Sequence, residues 1–162
     1  MRWNVKADII TDNGLIWQHN RQLIFDGENE YRKFEMLDLS HPTMGIDKIS
    51  WNGESFDVFP FICEPRANYS YDESAHGAFC IRNSEYTECS YTCDYAWVHY
   101  TLHTGAPIGT ITINGWWTTD NDKRSYEMKY DETDASYHLS LLQKQGYYSF
   151  NFLHVNPDGN TK

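Results

Sequence analysis

Apolar and polar residues alternate along this chain in short runs, and no apolar period of 3.6 lasts as long as a dozen residues. The runs are Trp3 to Ile9, Leu23 to Phe25, Tyr31 to Met36, Ile46 to Trp51, Phe56 to Phe61 and Phe79 to Ile81. They continue with Tyr95 to Leu102, Thr110 to Ile113, Tyr126 to Tyr130, Tyr137 to Leu142 and Tyr147 to Val155. Turn signals punctuate them: Asp12-Asn13-Gly14, Asp26-Gly27, Asn52-Gly53, Asn114-Gly115 and Gln145-Gly146. Alternation with a period of two puts successive side chains on opposite faces of a strand, so the pattern predicts an all-β fold of sandwich type.

The polar stretch Glu64-Pro65-Arg66-Ala67-Asn68 interrupts the alternation, and the segment from there to Gly77 is polar. The sequence therefore predicts two consecutive immunoglobulin-like β-sandwich domains, residues 1–66 and 67–162. The first has about five strands, few for a closed sandwich, and is expected to lack upstream strands. A length of 162 residues with 16% aromatics suits folded domains and not a disordered tail.

The formal charge is -10, with net -4 over residues 1–66 and -6 over 67–162. Binding to nucleic acid needs a basic surface, so a nucleic-acid partner is excluded. No apolar run reaches the roughly 18 residues that would span a bilayer as a helix, and the start MRWNVKADII lacks the layout of a secretory signal. Cys63, Cys80, Cys89 and Cys93 allow up to two disulfides, with Cys89 to Cys93 or a pairing to Cys80 favoured.

Cys89, Cys93, His99 and His103 have a zinc-like spacing within each pair. However, His99 and His103 fall in one strand, where four residues separate them by roughly 13 Å. A single zinc with bonds near 2 Å cannot readily take both. Asp120-Asn121-Asp122 resembles the start of a calcium loop but lacks its glycine and distal glutamate, and reads as a turn. No Gly-x-Ser-x-Gly elbow and no phosphate-cradling glycine loop is present, so the residues nominate no catalytic group, cofactor or metal.

The tryptophan pair Trp116-Trp117 closes the run from Thr110 to Ile113. Parity places Trp117 with Ile111 and Ile113 on the core side, and Trp116 with Thr110, Thr112 and Asn114 on the other. The second half, with Gly115-Trp116-Trp117, Met128 and Gly146-Tyr147-Tyr148-Ser149-Phe150-Asn151-Phe152, resembles an early-set immunoglobulin-like domain of the group that includes glycogen-binding modules. That resemblance implies that Trp117, Tyr148, Phe150 and Phe152 share a core. It also puts Asp120 where such modules carry a glycan-stacking tryptophan.

A wider resemblance rests on Glu64-Pro65-Arg66, the tyrosine-rich loop Tyr69 to Gly77, Phe79 to Asn83, and Leu142 to Tyr148. In this order they are similar to the type IX secretion plug protein family of Bacteroidota, over nearly the whole chain. The resemblance implies a non-enzymatic, periplasmic interaction module whose partner is the outer-membrane secretion translocon, with this chain corresponding to a central portion of a larger plug. Trp116, Tyr69, Tyr71, Tyr86 and Tyr91 lie in or near expected loops and are the candidate interaction residues, because loop aromatics often anchor interfaces. The alternative is a carbohydrate-binding module of a polysaccharide-handling protein.

Overall fold

The computed structural model describes residue 7 and residues 9–16, 31–65, 75–85, 91–118 and 125–155. A hairpin of β1 (Ile9–Thr11) and β2 (Gly14–Ile16) turns at Asp12-Asn13, and its residues are exposed. Nine further strands follow. These are β3 (Arg32–Met36), β4 (Ile46–Trp51), β5 (Phe56–Pro60), β6 (Phe79–Ile81), β7 (Tyr95–His103), β8 (Thr110–Asn114), β9 (Lys129–Asp131), β10 (Ser136–Lys144) and β11 (Gly146–Val155).

They form a β-sandwich, as the alternation predicts. One sheet has the order β4-β5-β7-β10-β9 and the other β3-β11-β6, with β8 also paired to β11. Strands β5 and β7 run parallel, and the remaining pairs are antiparallel. The alternating Ala96, Val98, Tyr100 and Leu102 of β7 face Phe34, Met36, Tyr148 and Phe150 of the opposite sheet in one buried cluster. Inside it, Phe34 stacks on Tyr148 with ring centroids 5.4 Å apart, and Tyr100 meets Phe150 edge to face at 5.1 Å.

This arrangement corrects the expected division at residue 66. Strand β3 pairs with β11, and β5 pairs with β7, so strands from both sides of Glu64-Pro65 are woven into the same two sheets over one core. Three of the about five strands expected in the first domain, β3, β4 and β5, are therefore structural members of the sandwich that contains the second half. Among the described residues, only the β1-β2 hairpin pairs with neither sheet.

The chain passes from one sheet to the other at Gln145-Gly146. The Gln145 side chain is buried and hydrogen-bonded at both ends of its amide: its Oε1 accepts the Asp94 N–H at 2.9 Å and its Nε2 donates to the Leu37 carbonyl at 3.0 Å. A Cβ on Gly146 would stand 2.3 Å from the Cys80 carbonyl oxygen, so only glycine lets β11 close against β6. Arg82, just past β6, pairs through its guanidinium with the Glu35 carboxylate of β3. Gln145 thus ties the two sheets together at this corner, while Gly146 and Arg82 fasten β6, β11 and β3 within one sheet.

Tyr100 adds a buried polar link, its hydroxyl donating to Gln143 Oε1 at 2.6 Å. Burial pushes its phenol well above the ordinary tyrosine range, with the neighbouring Tyr148 adding to the shift. A group whose folded pKa is raised contributes stability that is complete below its unfolded pKa and is lost as the pH rises above it. The chain should therefore lose stability as pH climbs past ~10. Tyr100→Phe should flatten that alkaline limb in melts recorded against pH, while leaving Gln143 unsatisfied at about 1–3 kcal/mol near neutrality.

Candidate functional site

Three surfaces present chemistry outside the core. The first is the tryptophan turn. Trp117 is half-buried, packs edge-on to Tyr148 at 5.7 Å and donates its indole N–H to the Ser149 carbonyl at 3.1 Å. Trp116 is 69% exposed, as its parity predicts. Its backbone N–H donates to the Gly77 carbonyl at 2.8 Å, and Gly77 has φ +87° with Tyr31 and Trp116 close around it. Tyr31 in turn meets His76 edge to face at 5.8 Å, so Tyr31, His76 and Trp116 cluster about this glycine.

Tyr91 is 86% exposed in the turn ahead of β7, near the Asn83 side chain that bonds Thr92. Trp116 adjoins the start of β6 through Gly77, whereas Tyr91 lies beyond its end, so the structure does not bring these two candidates together. Tyr69, Tyr71 and Tyr86 lie outside the described residues, as do Cys89 and Asp120 to Asp122. Among the described residues no disulfide joins Cys63, Cys80 and Cys93.

The second surface is the outer face of the five-stranded sheet. The bonds from Gln145 N to Asp94 O and from Thr104 N to Ala135 O identify the hydrogen-bonded pairs of β7 and β10. By alternation, Ser140 and His99 form a non-hydrogen-bonded pair, the closer kind of cross-strand neighbour. His99 Nδ1 lies 2.8 Å from Ser140 Oγ, and Nε2 lies 3.0 Å from Asp57 Oδ1. A carboxylate only accepts, so Nε2 carries a proton towards Asp57, and the Ser140 hydroxyl can complement Nδ1 as donor or acceptor. His103, which shares this face, contacts Ser136 Oγ at 3.1 Å. Exposed Tyr95 and Trp97 follow on the same strand, with Lys144 Nζ 5.1 Å from the Tyr95 ring.

The hydrogen bond from His99, followed by that from Asn52, holds the Asp57 carboxyl below its ordinary value. A depressed carboxylate contributes stability that is present above its unfolded pKa and lost as pH falls through the folded one. Stability should therefore decline below ~pH 4, and Asp57→Asn should make that acid limb shallower in the same melting series.

The third surface is a cleft of ≈ 490 Å³ where β5 leaves its sheet. Its apolar walls include Met44, Phe61, Ile62 and Phe150, and Arg32, Lys33 and Glu64 also line it. Met44, Phe61 and Ile62 are 45%, 59% and 67% exposed. The walls are fixed by backbone bonds: Glu35 N donates to Met44 O at 2.8 Å, and Phe61 N donates to Gly45 O at 3.0 Å. Gly45 has φ +77°, and a Cβ there would lie 2.5 Å from the Lys33 carbonyl, so the floor requires glycine. Arg32 ties down the rim by donating to the Glu64 carbonyl at 3.0 Å.

No family model matches the chain, and no curated protein matches it. Among solved structures, it is similar to a hypothetical protein from Parabacteroides merdae, a Bacteroidota species, with a TM-score of 0.74 and 30% identity. The likeness covers 96% of this chain and 40% of that one, so this chain spans well under half the length of its neighbour. The shared fold is the β-sandwich.

Sequence reasoning passed over both the cleft and the Asp57-His99-Ser140 chain. The cleft had a signal: Phe59-Pro60-Phe61-Ile62 is a continuous apolar run, which a half-buried alternating strand cannot hide entirely. The polar chain had none, since its members come from three strands and no local motif links them.

Proposed function

We propose that this chain is a non-enzymatic protein-interaction module of the periplasmic plug that seals the type IX secretion translocon in the outer membrane. The ordered motifs Glu64-Pro65-Arg66, Phe79 to Asn83 and Leu142 to Tyr148 support this reading, and a Bacteroidota neighbour of the same fold is consistent with it. The observation that carries it is the contiguous exposure of Met44, Phe61 and Ile62 around a rigid cleft, because a concentrated apolar patch marks an interaction site. Ser140 is exposed on a flat sheet face, a poor setting for stabilising an oxyanion, which favours a structural role for its contact with His99.

A carbohydrate-binding reading draws support from Tyr95 and Trp97, whose exposed rings on the sheet face could stack on sugar. The test runs two assays on one preparation: capture of the purified outer-membrane translocon on the immobilised chain, and retardation of the chain in gels containing linear or branched glucan. Capture without retardation is the expected result, and Trp97→Ala should leave it unchanged. Retardation that Trp97→Ala abolishes, with no capture, would replace the first reading by the second.

A further inference from the structure

We propose that Asn13, at the turn of the β1-β2 hairpin, is a site of spontaneous covalent modification, where the chain converts this asparagine to aspartate and isoaspartate with loss of ammonia. The inference stands independently of what the module binds.

Three Asn-Gly pairs fall in the described residues: Asn13-Gly14, Asn52-Gly53 and Asn114-Gly115. In such a pair the glycine nitrogen can attack the side-chain carbonyl carbon of the asparagine, since no Cβ on the second residue obstructs the approach. The new C–N bond closes a succinimide ring, and the side-chain amide leaves as ammonia, taking the proton that the glycine nitrogen gives up. One water then opens the ring. Cleavage at the side-chain carbonyl leaves aspartate, whereas cleavage at the main-chain carbonyl leaves isoaspartate, with an extra methylene in the main chain. No oxidant or reductant is needed.

The fold restrains the three pairs differently. Asn52 is held on both sides of its amide: Nδ2 donates to Ser55 Oγ at 3.1 Å and Asp57 Oδ2 at 3.0 Å, and Oδ1 accepts from Glu54 N at 3.0 Å and Ser55 N at 2.9 Å. Asn114 Nδ2 donates to Asn151 Oδ1 at 3.0 Å, and the attacking nitrogen of Gly115 is itself bonded to Thr118 Oγ1 at 3.1 Å. Ring closure at either site must first break such contacts. Asn13 is exposed, and its side chain makes no hydrogen bond among the described residues. Apart from chain neighbours, no atom lies within 4 Å of where a Cβ on Gly14 would stand.

The hairpin adds little restraint of its own. Strands β1 and β2 have three residues each, all exposed, and among the described residues they pair only with each other. An isolated two-stranded hairpin is marginally stable in water, so its turn opens at small free-energy cost and the Asn13 side chain can swing onto the Gly14 nitrogen. Isoaspartate there lengthens the main chain within a two-residue turn and spoils the pairing of Thr11 with Gly14.

The test incubates the full chain in mildly alkaline buffer and maps digested samples by mass spectrometry, with an isoaspartyl methyltransferase assay on the separated peptides. The peptide carrying Asn13 should gain the mass that marks exchange of amide for carboxyl about tenfold or more faster than those carrying Asn52 or Asn114, which must lose hydrogen bonds to react. The converted peptide should contain isoaspartate. Gly14→Ala should slow the conversion several-fold. Amides of residues 9–16 should shift as conversion proceeds while those of β7, β10 and β11 stay in place, since the hairpin belongs to neither sheet. In guanidinium chloride the three peptides should convert at similar rates, because the restraints are gone. Conversion at Asn52 or Asn114 as fast as at Asn13 in the folded chain, or an undiminished preference for Asn13 in denaturant, would overturn the proposal. So would a folded chain in which Asn13 persists while the denatured chain converts it.

Discussion

Phe34→Ala should lower stability by about 3–5 kcal/mol and the melting temperature by about 10 °C or more. Phe34 is fully buried and touches three aromatic rings contributed by later strands: Tyr148 at 5.4 Å, Tyr100 at 5.9 Å and Phe150 at 6.1 Å. None of these rings can refill the space without breaking its own packing, so a cavity term adds to the lost burial. The location of the damage matters as much as its size. In a single sandwich the loss weakens every strand at once, so amide exchange should accelerate in β7, β10 and β11 together with β3 and β5. Two independently folded segments divided near residue 66 would instead leave exchange beyond Tyr95 unchanged.

The adjacent tryptophans should respond very differently to truncation. Trp117→Ala is expected to lose about 3 kcal/mol, at the lower end for large aromatic residues because the ring is only half-buried. It removes the edge contact with Tyr148 and the stacked contact with Tyr100, and leaves the Ser149 carbonyl without its indole donor. Trp116→Ala should change stability by less than about 0.5 kcal/mol, as exposed substitutions usually do. Chemical denaturation of the two variants side by side checks the difference. Equal losses would mean that the strand parity through Gly115 is wrong.

Strand positions were legible because each depends on local alternation. The runs at Tyr31, Ile46, Phe56, Tyr95, Thr110, Tyr137 and Tyr147 became β3, β4, β5, β7, β8, β10 and β11. Parity also assigned Trp116 and Trp117 correctly, since β8 keeps its alternation up to the turn. Partnership between strands was not legible. Gly146 lies beside Met36, and Asp57 beside Trp97, across long stretches of sequence. A polar break such as the one that begins at Glu64-Pro65 looks the same whether it separates two domains or, as here, falls between strands that share one sandwich.

The candidate site was legible only in part, for a related reason. Exposure at Trp116 follows from one strand, whereas the cleft requires the Met44-Gly45 turn, the exit of β5 and the start of β3 to converge. The motifs behind the family resemblance were informative in another way. Gln145 links the two sheets, Gly146 and Arg82 fasten β6, β11 and β3 within one of them, and Glu64-Pro65 forms part of the cleft rim. Motifs of that kind preserve a scaffold, while the exposed apolar residues beside them give the scaffold something to bind.

The most direct measurement of the interaction reading is calorimetric titration of this chain with the purified outer-membrane translocon, alongside titrations with linear and branched glucans. Micromolar or tighter binding to the translocon, weakening as salt is raised, with no heat from either glucan, is the predicted result. Micromolar glucan binding with no detectable binding to the translocon would contradict it.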